Sequence, residues 1–161
     1  MTSIRIAREA DDDLVVGLLI GSFSQLYAAM GVEMSPERRA YLSDQAGRRA
    51  FATTLLCEVD GVAAGTVTLV PPSTHSEAWV DGAWDLRLLA VAPGMQGRGI
   101  ARALLAEAER RVKAAGGMEI CLHARRGVPA QARLYPANGY VRDPAGDLDT
   151  QPFQEGYRKG L

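Results

Sequence analysis

The chain has 161 residues, a length that fits one domain, residues 1–161, with a full hydrophobic core. Hydrophobic residues make up 47% and charged residues 23%, the balance of a globular protein, and the net charge of −1 gives no electrostatic reason to expect nucleic acid or an anionic membrane as partner. The densest apolar run, residues 14–20, is too short for a membrane span, and Arg5, Arg8 and an acidic triplet break up any signal-peptide core, so the cytoplasm is the default location.

Residues 3–8 alternate apolar and polar side chains and predict a first strand. Asp11, Asp12 and Asp13 open a helical pattern that runs to Met30 and stops at Gly31, the acids favouring the positive end of the helix dipole. Ser35 and Pro36 mark a second helix start, with serine as cap, continuing toward Ala50. Residues 53–59 and 62–70 are β-rich and separated by Asp60-Gly61, which predicts a hairpin. Residues 75–82 read as a loop and residues 83–91 as a strand buried in its second half. Residues 96–115 carry the clearest helical pattern, with Ile100, Ala103, Leu104, Ala108 and Val112 on one face, and Gly116-Gly117 ends it. A strand over 119–123, a short helix from Pro129 through Tyr135, a strand starting at Gly139-Tyr140-Val141 and a last strand within 152–159 complete the order. The pattern β-α-α-β-β-β-α-β-α-β-β implies an α/β architecture on a mixed (α+β-type) sheet.

Cys57 and Cys121 stand far apart, each within a strand, and read as buried thiols; no metal-binding spacing is present.

The most informative segment joins the strand at 83–91 to the helix that follows: Leu89-Ala90-Val91-Ala92-Pro93-Gly94-Met95-Gln96-Gly97-Arg98-Gly99-Ile100-Ala101. A glycine-rich turn that opens onto a helix presents free N–H donors and a partial positive charge, which suits a phosphate or pyrophosphate. No lysine follows Gly99, which excludes a Walker A loop, and Arg102 stands where a dinucleotide fingerprint has its third glycine. The glycines alone do not separate an anion site from an empty turn.

Gln96-Gly97-Arg98-Gly99-Ile100-Ala101 fits Q/R-x-x-G-x-G/A, and the preceding Leu89-x-Val91-x-Pro93 together with Leu134-Tyr135-x-x-x-Gly139-Tyr140 extends the match. In these motifs and in its element order the chain resembles the GCN5-related N-acetyltransferase (GNAT) superfamily, with motif similarity over residues 85–140 and only element order matching before them. The resemblance implies a GNAT-like fold with a splayed central sheet and acetyl-CoA as cosubstrate. The main chain of Leu89, Ala90 and Val91 would take the pantetheine amides by strand addition. Gln96, Gly97, Arg98, Gly99, Ile100, Ala101 and Arg102 would hold the pyrophosphate, although both arginines read equally as solvated helix charges.

Tyr135 falls at the family's general-acid position, and the alternative is a ring packed on the sheet. Pro136 departs from the family pattern and is expected to disturb the backbone at Tyr135; Val128 replaces an asparagine common in the family. Asp85 matches a general-base position and reads equally as a strand carboxylate paired with Arg87, with His75 and Glu77 as further bases. For the acceptor, the resemblance points to residues 22–34 and 71–84. There Tyr27, Trp79 and Trp84 would form an aromatic wall, and Glu33, Glu77, Asp81 and Asp85 would attract a cationic amine. The implied activity is acetyl transfer to a primary amine, with a small molecule preferred over a protein amine. A non-catalytic acyl-CoA-binding module is the alternative, a nucleotide-binding oxidoreductase is more distant, and relatives admit a homodimer.

Overall fold

A computed structural model describes all residues, 1–161. Seven strands, in the order β1-β2-β3-β4-β5-β7-β6, form one mixed sheet. They are β1 (Thr2–Ile6), β2 (Thr53–Val59), β3 (Val62–Val70), β4 (Trp84–Val91), β5 (Glu119–Arg125), β6 (Val141–Arg142) and β7 (Gln154–Gly160). The helices are α1 (Asp12–Met30), α2 (Pro36–Ser43), α3 (Gln45–Arg49), α4 (Ile100–Ala114) and α5 (Pro129–Ala137). Two compact units share this framework: Met1–Thr68 with Leu88–Leu104, and Leu69–Arg87 with Leu105–Leu161.

In the first unit β1 pairs antiparallel with β2, from Thr2 opposite Val59 to Ile6 opposite Leu55. Asp60 and Gly61 turn the β2–β3 hairpin with φ of 50° and 79°, the mirror-image turn their types favour. The core gathers Val15, Leu19 and Phe23 of α1 with Leu42, Leu56 and Leu88. α1 is long and apolar enough, by length and composition, to pass as a membrane span over residues 9–30, contrary to the expectation from its apolar run alone. Gly17, Gly21, Ser22 and Ser24 break that run without adding charge, and the face carrying Val15, Leu19 and Phe23 serves the core of this unit. Gly31, at φ 67°, closes the helix as its sequence predicts.

The expected single helix over 36–50 is two. Ser35 Oγ accepts from the N–H of Arg38 at 3.1 Å and starts α2; Asp44, at φ −90° and ψ 60°, breaks the run, and its carboxylate accepts from the N–H of Gly47 to start α3. The break orphans the last carbonyls of α2. Arg48, 2% exposed, supplies donors to the carbonyls of Tyr41 and Leu42 and to Gln45 Oε1, and Gln45 Nε2 donates onward to Thr54 Oγ1.

In the second unit β5 pairs antiparallel with β7 along its full length, Glu119 opposite Gly160 to Arg125 opposite Gln154, and β6 adds two residues beyond β7. The strand expected at Gly139 therefore begins at Val141, and a 3-10 turn at Pro144–Gly146 follows. α4 starts at Ile100 rather than Gln96, because Gly97 and Gly99 sit in the left-handed region, at 78° and 77°, and cannot continue a helix backward. Both cysteines are buried and unpaired, as expected, and burial pushes both thiols up from their ordinary range.

Asp11 does not serve as an open helix-start acid. Arg5 binds it with two hydrogen bonds, of 2.7 and 3.0 Å, and the N–H of Arg8 donates a third at 2.7 Å. The Arg5 bonds, then the Arg8 bond, hold the Asp11 carboxyl far below the usual carboxylate range. A carboxyl depressed on folding stabilises the protein above its unfolded pKa of about 3.9, and that contribution fades as pH falls through the folded value. Asp11→Asn is therefore expected to lower the urea midpoint at pH 7, and the gap from wild type should narrow progressively below about pH 4. Urea titrations of both proteins between pH 7 and 2 measure it.

Candidate functional site

β4 carries the site's main-chain groups, and its pairing is uneven. The parallel ladder with β5 joins Trp84, Asp85 and Leu86 to Ile120, Cys121 and Leu122. Past Leu86 that register stops. At Leu88 the backbone takes φ 57°, which costs a non-glycine residue about 1–2 kcal/mol. Leu88 is 6% exposed and packs into the first unit's core, and burying a leucine gains about 1.5–3 kcal/mol, enough to hold the bend.

Backbone groups alternate sides along a strand. The N–H of Ala92 donates to the Ala64 carbonyl of β3 at 2.8 Å. The groups of Ala90 share that direction, and those of Leu89 and Val91 point to the opposite edge, where the ladder has ended. An extended ligand with two amides meets unpaired donors and acceptors there.

Beyond β4 the chain turns tightly. The N–H of Met95 donates to the Ala92 carbonyl at 2.9 Å around Pro93 and Gly94, the latter at φ 88°, the pattern of a type II turn. Gly97 and Gly99 follow in the left-handed region, and a Cβ at either would meet nothing within 4 Å. Conformation, not crowding, demands glycine at both, and the open space lies beside the first turn of α4. Ile100 is buried at 4%, so its side chain anchors the helix while its N–H, with those of Ala101 and Arg102, belongs to the unbonded first turn. Arg98 and Arg102 are exposed and make no ion pair, which leaves two free guanidiniums beside these donors. Gln96 Nε2 donates to Gln25 Oε1 of α1 at 2.9 Å and ties the loop down.

Gly65 of β3 seats this helix start, and the sequence reading missed it. A Cβ there would lie 2.8 Å from Ile100 Cγ2, 3.0 Å from the Ala90 carbonyl oxygen and 3.0 Å from Leu104 Cδ1. A glycine inside an otherwise apolar strand pattern is the available signal, since it marks close approach of another element.

In the second unit Tyr135 is 5% exposed on α5. Its ring meets Tyr140 edge-on with centroids 6.0 Å apart and lies tilted to Tyr157 at 6.0 Å. The hydroxyl makes no hydrogen bond within the protein. Burial pushes the phenol well above its ordinary value, against a downward pull from the charge of Arg125, so the proton stays on at neutral pH. The disturbance expected from Pro136 is absent: α5 continues to Ala137. The N–H that proline lacks would have met the Ala132 carbonyl, and the helix closes beyond it, where the Tyr135 carbonyl accepts from the N–H groups of Asn138 and Tyr140, at 3.1 and 3.0 Å, and Asn138 Nδ2 donates to the Leu134 carbonyl. Val128 is the N-cap residue of α5 and gives no side-chain cap.

Asp85 is buried at 1% and engaged by Arg87. Arg87 Nε donates to Asp85 Oδ2 at 3.0 Å, as does the N–H of Glu77 at 3.0 Å, and Arg87 Nη2 also donates to the His75 carbonyl at 2.9 Å. The pairing with Arg87 is therefore real, but interior rather than on a strand surface. Glu77, His75 and Asp81 are exposed.

Of the residues expected to form an aromatic wall, Trp79 and Trp84 lie in the second unit and pack on different glycines, and Tyr27 lies in the first. Trp79 Nε1 donates to Asp143 Oδ2 at 2.9 Å, and its ring lies 5.2 Å from the His123 ring and over Gly146, where a Cβ would be 2.4 Å away. Trp84 packs instead on Gly117, where a Cβ would fall 2.7 Å from its Nε1. Tyr27 is 8% exposed in the core of the first unit. No group of three or more His, Cys, Asp or Glu side chains is arranged to hold a metal ion.

The family profile of the acetyltransferase (GNAT) domain matches residues 50–142, and the chain belongs to this family of acetyltransferases. No curated protein sequence matches it. Among solved structures, the fold is similar to the PaiA N-acetyltransferase of Thermoplasma acidophilum in complex with coenzyme A, at TM-score 0.76 and 18% identity over 100% of this chain and 99% of that one. A GNAT family acetyltransferase of Streptococcus agalactiae aligns at TM-score 0.79 and 14% identity, covering 99% of this chain and 95% of its own. A GNAT family acetyltransferase of Brucella melitensis in complex with acetyl-CoA aligns at TM-score 0.67 and 20% identity, over 96% and 86% of the two chains.

Gly65→Val should push the start of α4 off β3. Overpacking of this kind costs about 1–3 kcal/mol, and the expected result is a lower Tm with weakened acetyl-CoA binding. Thermal unfolding with and without acetyl-CoA reads both effects.

Proposed function

We propose that this protein transfers the acetyl group of acetyl-CoA to a primary amine of a small molecule, by direct attack in a ternary complex. The observation that carries the reading is the unpaired edge of β4 at Leu89 and Val91, continuous with a glycine turn and the open first turn of α4. The edge suits an amide-bearing arm, the turn suits a pyrophosphate, and coenzyme A joins those two chemistries in one molecule. The likeness to structures holding coenzyme A and acetyl-CoA supports it.

Acetyl-CoA supplies a thioester carbonyl, the electrophile. The chain's part is to hold and protonate. Leu89 and Val91 would bond the arm through their main chains, with Ala90 between them fixing the strand against β3. The N–H groups of residues 96–102, with the Arg98 and Arg102 guanidiniums, would meet the diphosphate charge. As the amine nitrogen bonds to the carbonyl carbon, the C–S bond breaks and the sulfur takes a proton. Tyr135 is our candidate donor, because its phenol is protonated and not committed to another acceptor. The amine must react neutral, so its ammonium proton leaves before attack, and the further proton that the nitrogen sheds as it becomes an amide balances the one that Tyr135 gives to sulfur. On the loop after β3 the exposed titratable side chains are His75, Glu77 and Asp81, and the two carboxylates favour a cationic amine.

Acetyl-CoA at 100 times its Kd should stabilise the fold by about 2.7 kcal/mol, seen as a rise in Tm; a well-folded sample with no rise overturns donor binding. With a panel of small amines and peptide N-termini, release of free CoA thiol above background should follow the small amines.

Tyr135→Phe is expected to lower kcat by about 10²–10⁴ while the Kd for acetyl-CoA barely changes. Steady-state kinetics with a direct binding measurement separates this outcome from a packing role, in which both constants would stay near wild type.

A further inference from the structure

The loop between β3 and β4, residues 71–83, has no regular secondary structure but is fastened at two places. At its centre the Glu77 N–H binds Asp85 Oδ2, and the His75 carbonyl accepts from Arg87 Nη2, so the two strand residues grip the loop by its main chain on either side of Ser76. Three residues beyond Ser76, Trp79 is locked between Asp143, His123 and Gly146. Short internal bonds stiffen the remainder: His75 N–H to Ser73 Oγ at 3.2 Å, Ser76 N–H to the Ser73 carbonyl at 3.2 Å, and Ala78 N–H to Ser76 Oγ at 3.1 Å.

Asp85 and Arg87 are mutually dependent. Asp85 is 1% exposed, and neither an unpaired buried carboxylate nor an unpaired buried guanidinium is stable. Oδ2 of Asp85 accepts from Arg87 and from Glu77 together, which turns the pair into a clamp on the loop. The side chains that the clamp leaves exposed are those of His75 and Glu77.

We infer that Asp85 and Arg87 are positioning residues that fix the 75–77 segment as part of the acceptor site, and that Asp85 is not the group that takes the amine's proton. The inference rests on the proposed acetyl transfer. A donor arm held along β4 from the glycine turn past Val91 and Leu89 directs its thioester end toward the earlier part of β4. Arg87 and Asp85 precede Leu89 and Val91 on that same strand, and they hold the 75–77 segment by its main chain. Oδ2 of Asp85, bonded to a guanidinium and a main-chain N–H, is committed as an acceptor. Its electrostatic service is to the loop, whose shape decides which amine fits.

The test uses the full chain and the amine identified by the thiol-release panel, with KM values for amine and acetyl-CoA measured separately across pH. Asp85→Asn is expected to raise the KM for the amine about tenfold, leave the KM for acetyl-CoA near wild type, and retain the acid limb of the pH–rate profile. Adding Arg87→Gln to Asp85→Asn restores a neutral hydrogen-bonded pair without a buried lone charge, and should recover much of the lost amine affinity. Loss of kcat by 100-fold or more, with an unchanged amine KM, a vanished acid limb and no recovery in the double variant, overturns the inference and makes Asp85 the base. Should either Asp85 variant fail to fold, Glu77→Pro removes both the carboxylate and the N–H that Asp85 accepts while Glu77→Gln removes the carboxylate alone, and an amine KM no higher in the first than in the second equally overturns it. Failure of the wild type to bind acetyl-CoA would defeat the transfer reaction itself, and the thermal measurement detects this separately.

Discussion

A main-chain hydrogen-bonding group left without a partner in a sheet is costly, and the site depends on where this chain leaves such groups open. β4 is flanked by β3 and β5 in strand order, yet its ladder with β5 spans only Trp84 to Leu86. The left-handed residue at Leu88 marks the transition. It is held by apolar burial of its own side chain, so hydrophobic packing maintains a backbone conformation that hydrogen bonding alone would not favour. In the proposed reading, the groups of Leu89 and Val91 that follow take the amide-bearing arm of acetyl-CoA.

Within each unit the molecule invests in rigidity. Gly65 lets the start of α4 lie against β3, and Leu104, Leu105, Ala108 and Val112 bury the helix's apolar face, so its first turn is fixed before a ligand arrives. Tyr135 is set between two other tyrosines, and the residues after it close the helix through their own N–H groups. Charged groups are used as braces: Asp11 on Arg5, Arg48 on orphaned helix carbonyls, Asp85 and Arg87 on a loop.

Local chemistry decided what could be read from the sequence. The hairpin at Asp60-Gly61, the stop at Gly31, the cap at Ser35 and the glycine turn before α4 were legible because each is a short-range consequence of residue type. The helical stripe from Ile100 to Val112 was legible because burial imposes its period. Leu88 was not, because a leucine gives no local sign that tertiary packing will force its φ positive. The break at Asp44 was hidden for a similar reason, since the donor that tolerates it, Arg48, works through contacts with carbonyls six and seven residues earlier. Pro136 misled in the other direction: its effect on the preceding residue is a bias, and α5 runs through it to Ala137. At Asp85 the residue type fitted base and brace alike, and only burial with three donor bonds distinguishes the environment.

The two buried thiols bear on the chemistry in a separate way. Each acetyl transfer would release a free thiol, and where an oxidant converts that thiol to the coenzyme A disulfide, a protein thiolate can attack it to form a mixed disulfide and release one coenzyme A thiol. Cys57 and Cys121 are enclosed in β2 and β5, and desolvation holds both in the protonated, unreactive form. The enzyme would thus tolerate the oxidised form of its own product, and coenzyme A disulfide should leave it unmodified while it stays folded.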